Sequence, residues 1–211
     1  MNKTSNIKVM FNKYASSYQE QYMSVDLYEA SLNEFCKNIP KKNATILDVG
    51  CGPGNVTQYL LKQRSDFNIL GIDFAPNMIS LAKKNNPTAS FKVMDAKCIS
   101  DLNKLYQGIV CAFLLPYLSK ENTIKLIEVM TQLLNKDGVL YISTMEDINS
   151  NSKLQSTSQN KDDQLFINYH EIGYITEAIK ENGLTIVFST LQEFPQKQGK
   201  KTTDLIIVAK K

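Results

Sequence analysis

Residues 45–55 have the sequence T-I-L-D-V-G-C-G-P-G-N, in which a short apolar run leads directly into three alternate glycines, Gly50, Gly52 and Gly54. The apolar run predicts a buried strand, and glycines at this spacing permit a tight turn and a close approach of a ligand to the backbone. Apolar residues at helical spacing follow between residues 56 and 63. Strand, glycine turn and helix in this order predict a ligand at the carboxyl edge of a parallel sheet, beside a helix N-terminus.

The spacing of the glycines distinguishes two kinds of nucleotide site. The dinucleotide fingerprint GxGxxG needs a small residue at position 55, but that residue is Asn55, and the third glycine comes one position early. An acid stands two residues before the first glycine, which gives DxGxGxG from Asp48 to Gly54. At these residues the chain resembles the class I S-adenosylmethionine-dependent methyltransferases, whose first motif is an acid followed by GxGxG.

Two further acids follow predicted strands. Asp73 comes after the apolar run at residues 68–72, about twenty residues beyond the glycine turn, where a carboxylate can accept both hydroxyls of a ribose. Asp95 follows a third short strand at residues 91–94. Asp and Gly at strand ends are also ordinary turn residues. Turn chemistry does not explain three acids in this order, so the pattern favours the methyltransferase resemblance.

The resemblance implies a set of contacts with S-adenosylmethionine. It places Asp48 and the glycine turn at the methionine end, with Asp48 acting on the ammonium directly or through water, and backbone carbonyls near Phe113 as further acceptors. Tyr14 and Tyr18 are expected to donate to the methionine carboxylate or to face the acceptor, although an aromatic stripe at helical spacing also suits a core. Asp73 is expected to bind the ribose. Phe74 and Met78 are expected to pack against the adenine, and Asp95 with Ala96 to bind its edge. The predicted cofactor-binding residues are Tyr14, Asp48, Gly50, Cys51, Gly52, Asp73, Phe74, Met78, Asp95, Ala96 and Phe113.

Two residues are candidates for the acceptor side. Tyr117 ends the segment Leu-Leu-Pro-Tyr after a predicted strand at residues 107–115, and it either faces the acceptor or packs in the core. Methyltransferases of nucleobase or glutamine amino groups have Asn or Asp followed by Pro-Pro-Tyr here, so this sequence does not favour that subclass. His170 is the only histidine and the candidate base for a hydroxyl or acidic-carbon acceptor; the alternative is a helix cap or surface residue.

The order of elements predicts a doubly wound, Rossmann-like α/β sheet of seven strands, mostly parallel, with helices on both faces and one antiparallel strand in a C-terminal hairpin. A chain of 211 residues, 43% hydrophobic, fits one domain. Residues 1–40 are expected to form a helical cap, with Asp26 capping its second helix, and residues 41–211 the methyltransferase domain. The polar residues 146–164 predict a lid, a disordered loop or a solvated insertion.

Composition limits the partners and the compartment. The net charge is only +3, and no basic stripe with interleaved aromatics is present, so nucleic acid is an unlikely partner. The four cysteines lack metal-ligand spacing, which predicts no metal site and favours a reducing cytoplasm. No apolar run approaches the ~18 residues of a membrane span. We therefore expect a cytoplasmic protein; monomer and homodimer both remain open.

The expected activity is methyl transfer to a small molecule by in-line displacement, with S-adenosylhomocysteine as the product. The chain is most similar to the branch that includes the ubiquinone and menaquinone C-methyltransferases and trans-aconitate methyltransferase. Two alternatives remain. One is a methyltransferase for a protein or an RNA, for which the lysines at residues 197–201 are the only candidate surface. The other is a catalytically silent module that binds the cofactor.

Overall fold

The structure is a computed structural model that describes residues 3–146, 152–156, 163–195 and 201–211, with side chains described for residues 7–146, 152–156, 163–193 and 202–211. Its helices are α1 (Lys3–Lys13), α2 (Ala15–Tyr22), α3 (Glu29–Lys37), α4 (Asn55–Gln63), α5 (Pro76–Asn85), α6 (Lys120–Gln132) and α7 (Ile172–Glu181). Its strands are β1 (Thr45–Val49), β2 (Asn68–Asp73), β3 (Ser90–Val93), β4 (Tyr106–Ala112), β5 (Leu134–Glu146), β6 (Lys153–Ser156), β7 (Gln164–Ile167), β8 (Thr185–Pro195) and β9 (Lys201–Lys210).

Seven strands form one sheet in the order β3-β2-β1-β4-β5-β9-β8. Strands β1 to β5 run parallel, and β9 is antiparallel to both of its neighbours, β5 and β8. The predicted seven-stranded sheet with one antiparallel strand is therefore confirmed. Because β9 runs against the others, its first residues lie at the same edge as the carboxyl ends of β1, β4 and β5.

The sheet is buried on both faces, as the continuous apolar runs of its central strands require. On one face, Ile127 and Met130 of α6 and Ile175 of α7 belong to the larger core cluster. On the other face, Leu32 and Phe35 of α3 pack with Leu60 of α4 and others in a second cluster. The N-terminal helices thus cover one face of the sheet.

The N-terminal region differs in detail from a simple pair of helices. The first helical segment breaks at Tyr14 (φ −103°, ψ 18°), which separates α1 from α2. Asp26 was expected to cap the next helix, but it begins a single 3-10 turn, Asp26–Tyr28, and α3 begins only after it. The prediction of Asp26 as a cap is therefore wrong. On the outer side, Asn77 of α5 binds Asn12 through two hydrogen bonds, which dock α1 onto α5.

The structure changes one predicted boundary and adds a detail to the polar segment. Strand β4 ends at Ala112, not at residue 115, because Phe113 adopts a positive φ of 53° and a 3-10 turn, Leu115–Tyr117, follows. The polar segment 146–164 contains strand β6, which pairs antiparallel with β7, so part of it is a small two-stranded sheet. Residues 147–151 and 157–162 lie outside the described residues, and the lid remains a prediction there.

The glycine turn allows a first test of the fold. Gly54 (φ +81°) and Gly183 (φ +80°) share a left-handed conformation, but a Cβ on Gly54 would meet Asn86 Nδ2 at 2.4 Å, whereas one on Gly183 meets nothing within 4 Å. Asn86 is buried and its Nδ2 donates to the carbonyl of Gly54 at 2.9 Å. Both alanine substitutions should cost about 1–2 kcal/mol of backbone strain, and Gly54→Ala about 1–3 kcal/mol more through the broken buried hydrogen bond.

Urea unfolding of the two variants measures this difference directly. Gly183→Ala serves as the matched control because it changes only the backbone strain. Equal losses of unfolding free energy in the two variants would show that the contact between the glycine turn and Asn86 does not support the fold.

Candidate active site

The glycine turn between β1 and α4 is held by the end of β2. The amides of Gly50 and Cys51 both donate to the carbonyl of Ile72, at 2.8 and 2.9 Å. Gly50, Gly52 and Gly54 all have positive φ, between 53° and 81°. A Cβ on Gly52 would lie 3.8 Å from Cε1 of Tyr18, so the Tyr18 ring lies directly over this glycine.

Asp73 joins this turn to the next one along the sheet. Its Oδ2 accepts from the amide of Gly52 at 3.1 Å, and its Oδ1 accepts from the amide of Ala75 at 2.8 Å. The residue is 9% exposed, and burial raises the pKa of its carboxyl while these backbone bonds act against that shift. A carboxylate has about four acceptor positions, so Asp73 can still accept hydroxyl groups from a ligand.

Asp48 lies below the turn instead of facing a ligand. It is 1% exposed, and the hydroxyl of Thr57 donates to its Oδ2 at 2.6 Å. Burial raises the pKa of its carboxyl to about 6. Direct contact between Asp48 and a ligand ammonium does not fit this placement. The described contact of its side chain is with α4, which it anchors to β1.

The residues expected around an adenine are divided between the surface and the interior. Asp95 is partly buried, and its Oδ1 accepts from the amide of Lys97, which fixes it as the cap of the 3-10 turn Ala96–Leu102. Phe74 is also partly buried and retains accessible surface. Met78 is only 1% exposed and packs with its neighbours in a small cluster beneath the cap.

An aromatic recess lies between the N-terminal cap and the carboxyl edge of the sheet. We define it by Phe11, Tyr18, Tyr22, Phe74 and Tyr117. The Phe11 ring contacts those of Tyr117 (4.9 Å between centroids), Tyr18 (5.9 Å) and Phe74 (6.4 Å), and Tyr18 contacts Tyr22 (4.7 Å). Burial raises the pKa of both Tyr18 and Tyr117 well above its usual range, yet both rings keep accessible surface. Both rings therefore lie in largely apolar surroundings and remain partly accessible.

The structure separates Tyr14 from Tyr18. The Tyr14 hydroxyl donates a short hydrogen bond to the carboxylate of Asp163, which also forms an ion pair with Lys13 at 2.7 Å. Tyr14 therefore connects the cap to the residue before β7, and the expected contact with a methionine carboxylate does not fit its position here. Tyr18 is the phenol that lies over the glycine turn.

His170 does not have the free nitrogen that a base requires. It is 2% exposed; its Nε2 lies 2.7 Å from the carbonyl of Leu115, and its Nδ1 forms a short hydrogen bond with the hydroxyl of Tyr174. A carbonyl only accepts, so Nε2 carries the proton and Nδ1 accepts from Tyr174. Burial lowers the pKa of the imidazole. The prediction of His170 as a base therefore disagrees with the structure.

His170 instead helps to position Tyr117. The amide and the side-chain Nδ2 of Asn168 both donate to the carbonyl of Pro116, at 2.8 and 3.1 Å. Together with the bond from His170 to Leu115, these contacts hold the turn that places Tyr117 against Phe11 in the aromatic recess. Tyr117 thus lies between the end of β4 and the cap.

The sequence analysis missed a buried pair at the start of β9. Asp204 is 2% exposed, and the Tyr28 hydroxyl donates to its Oδ2 at 2.8 Å. The ring of Phe113, whose backbone was predicted to face the cofactor, packs against Tyr28 with 5.1 Å between centroids. An acid within the apolar run D-L-I-I-V-A was the available signal, because a buried strand rarely carries an unexplained carboxylate.

The described ranges contain neither a metal-binding group nor a membrane-spanning helix. No group of three or more His, Cys, Asp or Glu side chains that could hold a metal ion occurs among the residues that the structure describes. Within the same ranges, no helix combines the length and the apolar character needed to cross a bilayer.

Comparison with known proteins assigns the chain to a protein family. The sequence model of the family described as Methyltransferase domain matches residues 17–188. The chain belongs to this methyltransferase family. The match includes the glycine turn, Asp73, Asp95, Tyr117 and His170, and it ends before β9.

Curated relatives of this chain align over parts of their length. An uncharacterized methyltransferase of Alkaliphilus oremlandii is 26% identical over 144 residues, which are 64% of this chain and 65% of the relative. A malonyl-[acyl-carrier protein] O-methyltransferase of Acetivibrio thermocellus is 30% identical over 141 residues, 65% of this chain and 48% of the relative. The chain spans only 28% to 65% of the lengths of the first curated relatives that it matches.

A solved structure shares the fold of this chain along almost its whole length. The 1,6-didemethyltoxoflavin-N1-methyltransferase of Burkholderia thailandensis superposes with a TM-score of 0.73 at 18% identity, covering 99% of this chain and 88% of the other. This likeness confirms the class I methyltransferase fold that the sequence predicted.

The burial of Asp48 predicts how stability changes with pH. Its pKa is about 6 when folded, above the ordinary value of 3.8 that it regains on unfolding, so folding disfavours its ionised form. Asp48 therefore lowers the free energy of unfolding progressively as pH rises from about 4 through 6. Asp48→Asn keeps an acceptor for Thr57 and removes this charge. We expect the stability of the variant relative to the natural protein to increase by about 2–3 kcal/mol between pH ~4 and pH ~8.

Urea unfolding without cofactor at the two pH values checks this expectation. Asp137→Asn is a suitable control because Asp137 is exposed and lies near the start of β5, away from the carboxyl edge of the sheet. A stability difference between Asp48→Asn and the natural protein that stays constant with pH would contradict the burial of an ionisable Asp48.

Proposed function

We propose that this chain transfers a methyl group from S-adenosylmethionine to a small-molecule acceptor. The observation that carries the proposal is the Asp73 carboxylate, which accepts from Gly52 in the glycine turn and still has acceptor positions beneath the ring of Tyr18. Membership of the methyltransferase family supports it. Structural neighbours crystallised with S-adenosylhomocysteine or S-adenosylmethionine, such as the Burkholderia enzyme, agree with the same cofactor.

Part of the predicted set of residues is placed where it could bind that cofactor. Asp73 would accept the ribose hydroxyls, and the turn from Gly50 to Gly54 would face the methionine portion without Cβ atoms in the way. Phe74 and the Asp95–Ala96 junction would contact the adenine. S-adenosylmethionine supplies a methyl group on a sulfonium, a strong leaving group. Asp48, which is buried beneath the glycine turn, would act only through the electrostatic field of its carboxylate, which favours a cationic ligand.

Catalysis in this site would consist mainly of positioning and exclusion of water. The aromatic recess is covered by α1 and α2, and its half-buried rings replace water around a reacting group. Effective molarities from orientation alone can be worth roughly 7–11 kcal/mol. A neutral His170 with both ring nitrogens engaged is consistent with a reaction in which the imidazole takes no proton.

The acceptor is proposed to be small because the aromatic rings proposed to surround it lie beneath the cap formed by α1 and α2. A protein or RNA acceptor would need an open surface beside the reacting group. The lysines at residues 197–201, the only sequence candidate for such a surface, lie outside the residues whose side chains are described. A catalytically silent module would bind the cofactor equally well, and only turnover distinguishes it from an enzyme.

The cofactor assignment is tested by calorimetric binding of S-adenosylmethionine and S-adenosylhomocysteine. Gly52→Ala and Gly183→Ala form a matched pair, because both place a Cβ at positive φ without a close contact, but only Gly52 faces the site. We expect Gly52→Ala to weaken binding of both ligands at least tenfold, about 1.4 kcal/mol. Gly183→Ala should leave binding unchanged while losing similar stability in thermal unfolding.

Asp73→Asn is the second variant in the same experiment. It keeps one acceptor oxygen but loses the charge and one backbone bond, so we expect weaker binding of both ligands. NADH is the competing ligand. Absence of binding by S-adenosylmethionine and S-adenosylhomocysteine, or tighter binding of NADH than of either, would rule out the proposed cofactor.

A further inference from the structure

The start of β9 places a buried carboxylate at the ligand-binding edge of the sheet. Asp204 pairs with Met145 near the end of β5. It precedes Ile206 by two positions and Val208 by four along β9. Those two residues belong to the core cluster under α3, and side chains two positions apart lie on the same face of a strand. Asp204 therefore lies on the face that the N-terminal helices cover, where Tyr28 binds it.

No cation compensates this carboxylate within the part of the chain that the structure describes. The four ion pairs found there are Lys13–Asp163, Lys37–Glu34, Arg64–Asp66 and Lys125–Glu128. The cation–π contacts found there also involve other rings. A buried ionised group without a partner charge is unfavourable. Function is a common reason for its retention.

The surroundings of Asp204 are aromatic and uncharged. Tyr28 donates to the carboxylate and packs against Phe113. Phe113 itself has a positive φ of 53°, a conformation that costs about 1–2 kcal/mol for a residue with a Cβ. This backbone places its ring beside Tyr28 at the end of β4. A carboxylate with aromatic rings beside it offers an organic cation both a counter-charge and ring surfaces.

The pair lies close to the candidate cofactor site. Besides burial and Asp204, the neighbouring hydroxyls of Tyr141 and Tyr18 raise the pKa of Tyr28. Tyr18 in turn is affected by Tyr117 and by Asp73. Tyr28 therefore lies near Tyr18, and Tyr18 lies near Asp73 and against Gly52 of the glycine turn. Phe113, which packs against Tyr28, directly follows β4 at the same edge of the sheet.

We propose that Asp204, Tyr28 and Phe113 form the acceptor subsite, and that the acceptor presents an amine, bound as an organic ammonium, and not a carboxylate. This inference rests on the proposed function. In the reaction, an N–H bond of the ammonium breaks as its proton moves to a carboxylate oxygen of Asp204. The freed lone pair forms the bond to the methyl carbon while the carbon–sulfur bond breaks, and that electron pair remains on sulfur. The proton on Asp204 is released to water with the product.

Three ligands of one shape test the charge preference. Benzylamine, benzyl alcohol and benzoate are titrated by calorimetry into the full chain saturated with S-adenosylhomocysteine, which cannot donate a methyl group. We expect benzylamine to bind at least tenfold more tightly than benzyl alcohol, and benzoate not to bind. Equal or tighter binding of benzoate, or no detectable benzylamine binding at millimolar concentrations, would overturn the proposal.

A pair of variants assigns the preference to Asp204. Asp204→Asn keeps an acceptor for Tyr28 and should weaken benzylamine at least tenfold while changing benzyl alcohol less than twofold. Asp137→Asn removes the same charge at the opposite end of β5 and should change neither ligand. Unaltered benzylamine binding in a folded Asp204→Asn variant would overturn the assignment.

Binding of S-adenosylhomocysteine in the same preparations separates this inference from the proposed function. If S-adenosylhomocysteine does not bind, the proposed function fails. If it binds and benzylamine does not, the cofactor assignment stands and only the amine subsite is rejected. Tyr28→Phe keeps the ring and removes the hydroxyl, so a smaller loss of benzylamine binding than in Asp204→Asn is expected.

Discussion

The carboxylate of Asp73 is the interaction on which the candidate site depends. It accepts from the amide of Gly52 in one strand–helix turn and from the amide of Ala75 in the next. Two turns that belong to neighbouring strands are thereby fixed relative to each other. Burial raises the pKa of this carboxyl, and the backbone amides limit that shift. The ring of Tyr18 lies over Gly52, the residue whose amide Asp73 binds.

The parts that the sequence predicted are those encoded by neighbouring residues. The strand, the glycine turn and α4 follow one another within about twenty residues, and each glycine with positive φ is needed where it stands. Asp73 and Asp95 come directly after their strands, so their position at the edge follows from parallel topology alone. The antiparallel β9 follows from the short connection to β8. These signals are local, and the structure confirmed the sheet that they define.

The parts that the sequence did not predict depend on contacts between distant segments. Tyr14 and Tyr18 are equivalent in a helical pattern, and only the break at Tyr14 and its bond to Asp163 separate their roles. His170 was predicted as a base because it is a lone histidine, yet its ring binds Leu115, a residue 55 positions away. Asp204 meets Tyr28 across 176 positions. No local pattern contains such pairings, because they arise when the cap closes on the sheet.

The charges around the aromatic recess set conditions for the chemistry under the proposed function. Raised pKa values keep Tyr18 and Tyr28 neutral near physiological pH, so the phenols can orient ligands but cannot supply negative charge. That charge comes from Asp73 and Asp204. A bound sulfonium would lower the pKa of an ammonium beside it, because like charges disfavour the protonated form. The loss of that proton to Asp204 would relieve the repulsion and produce the nucleophile in the same step.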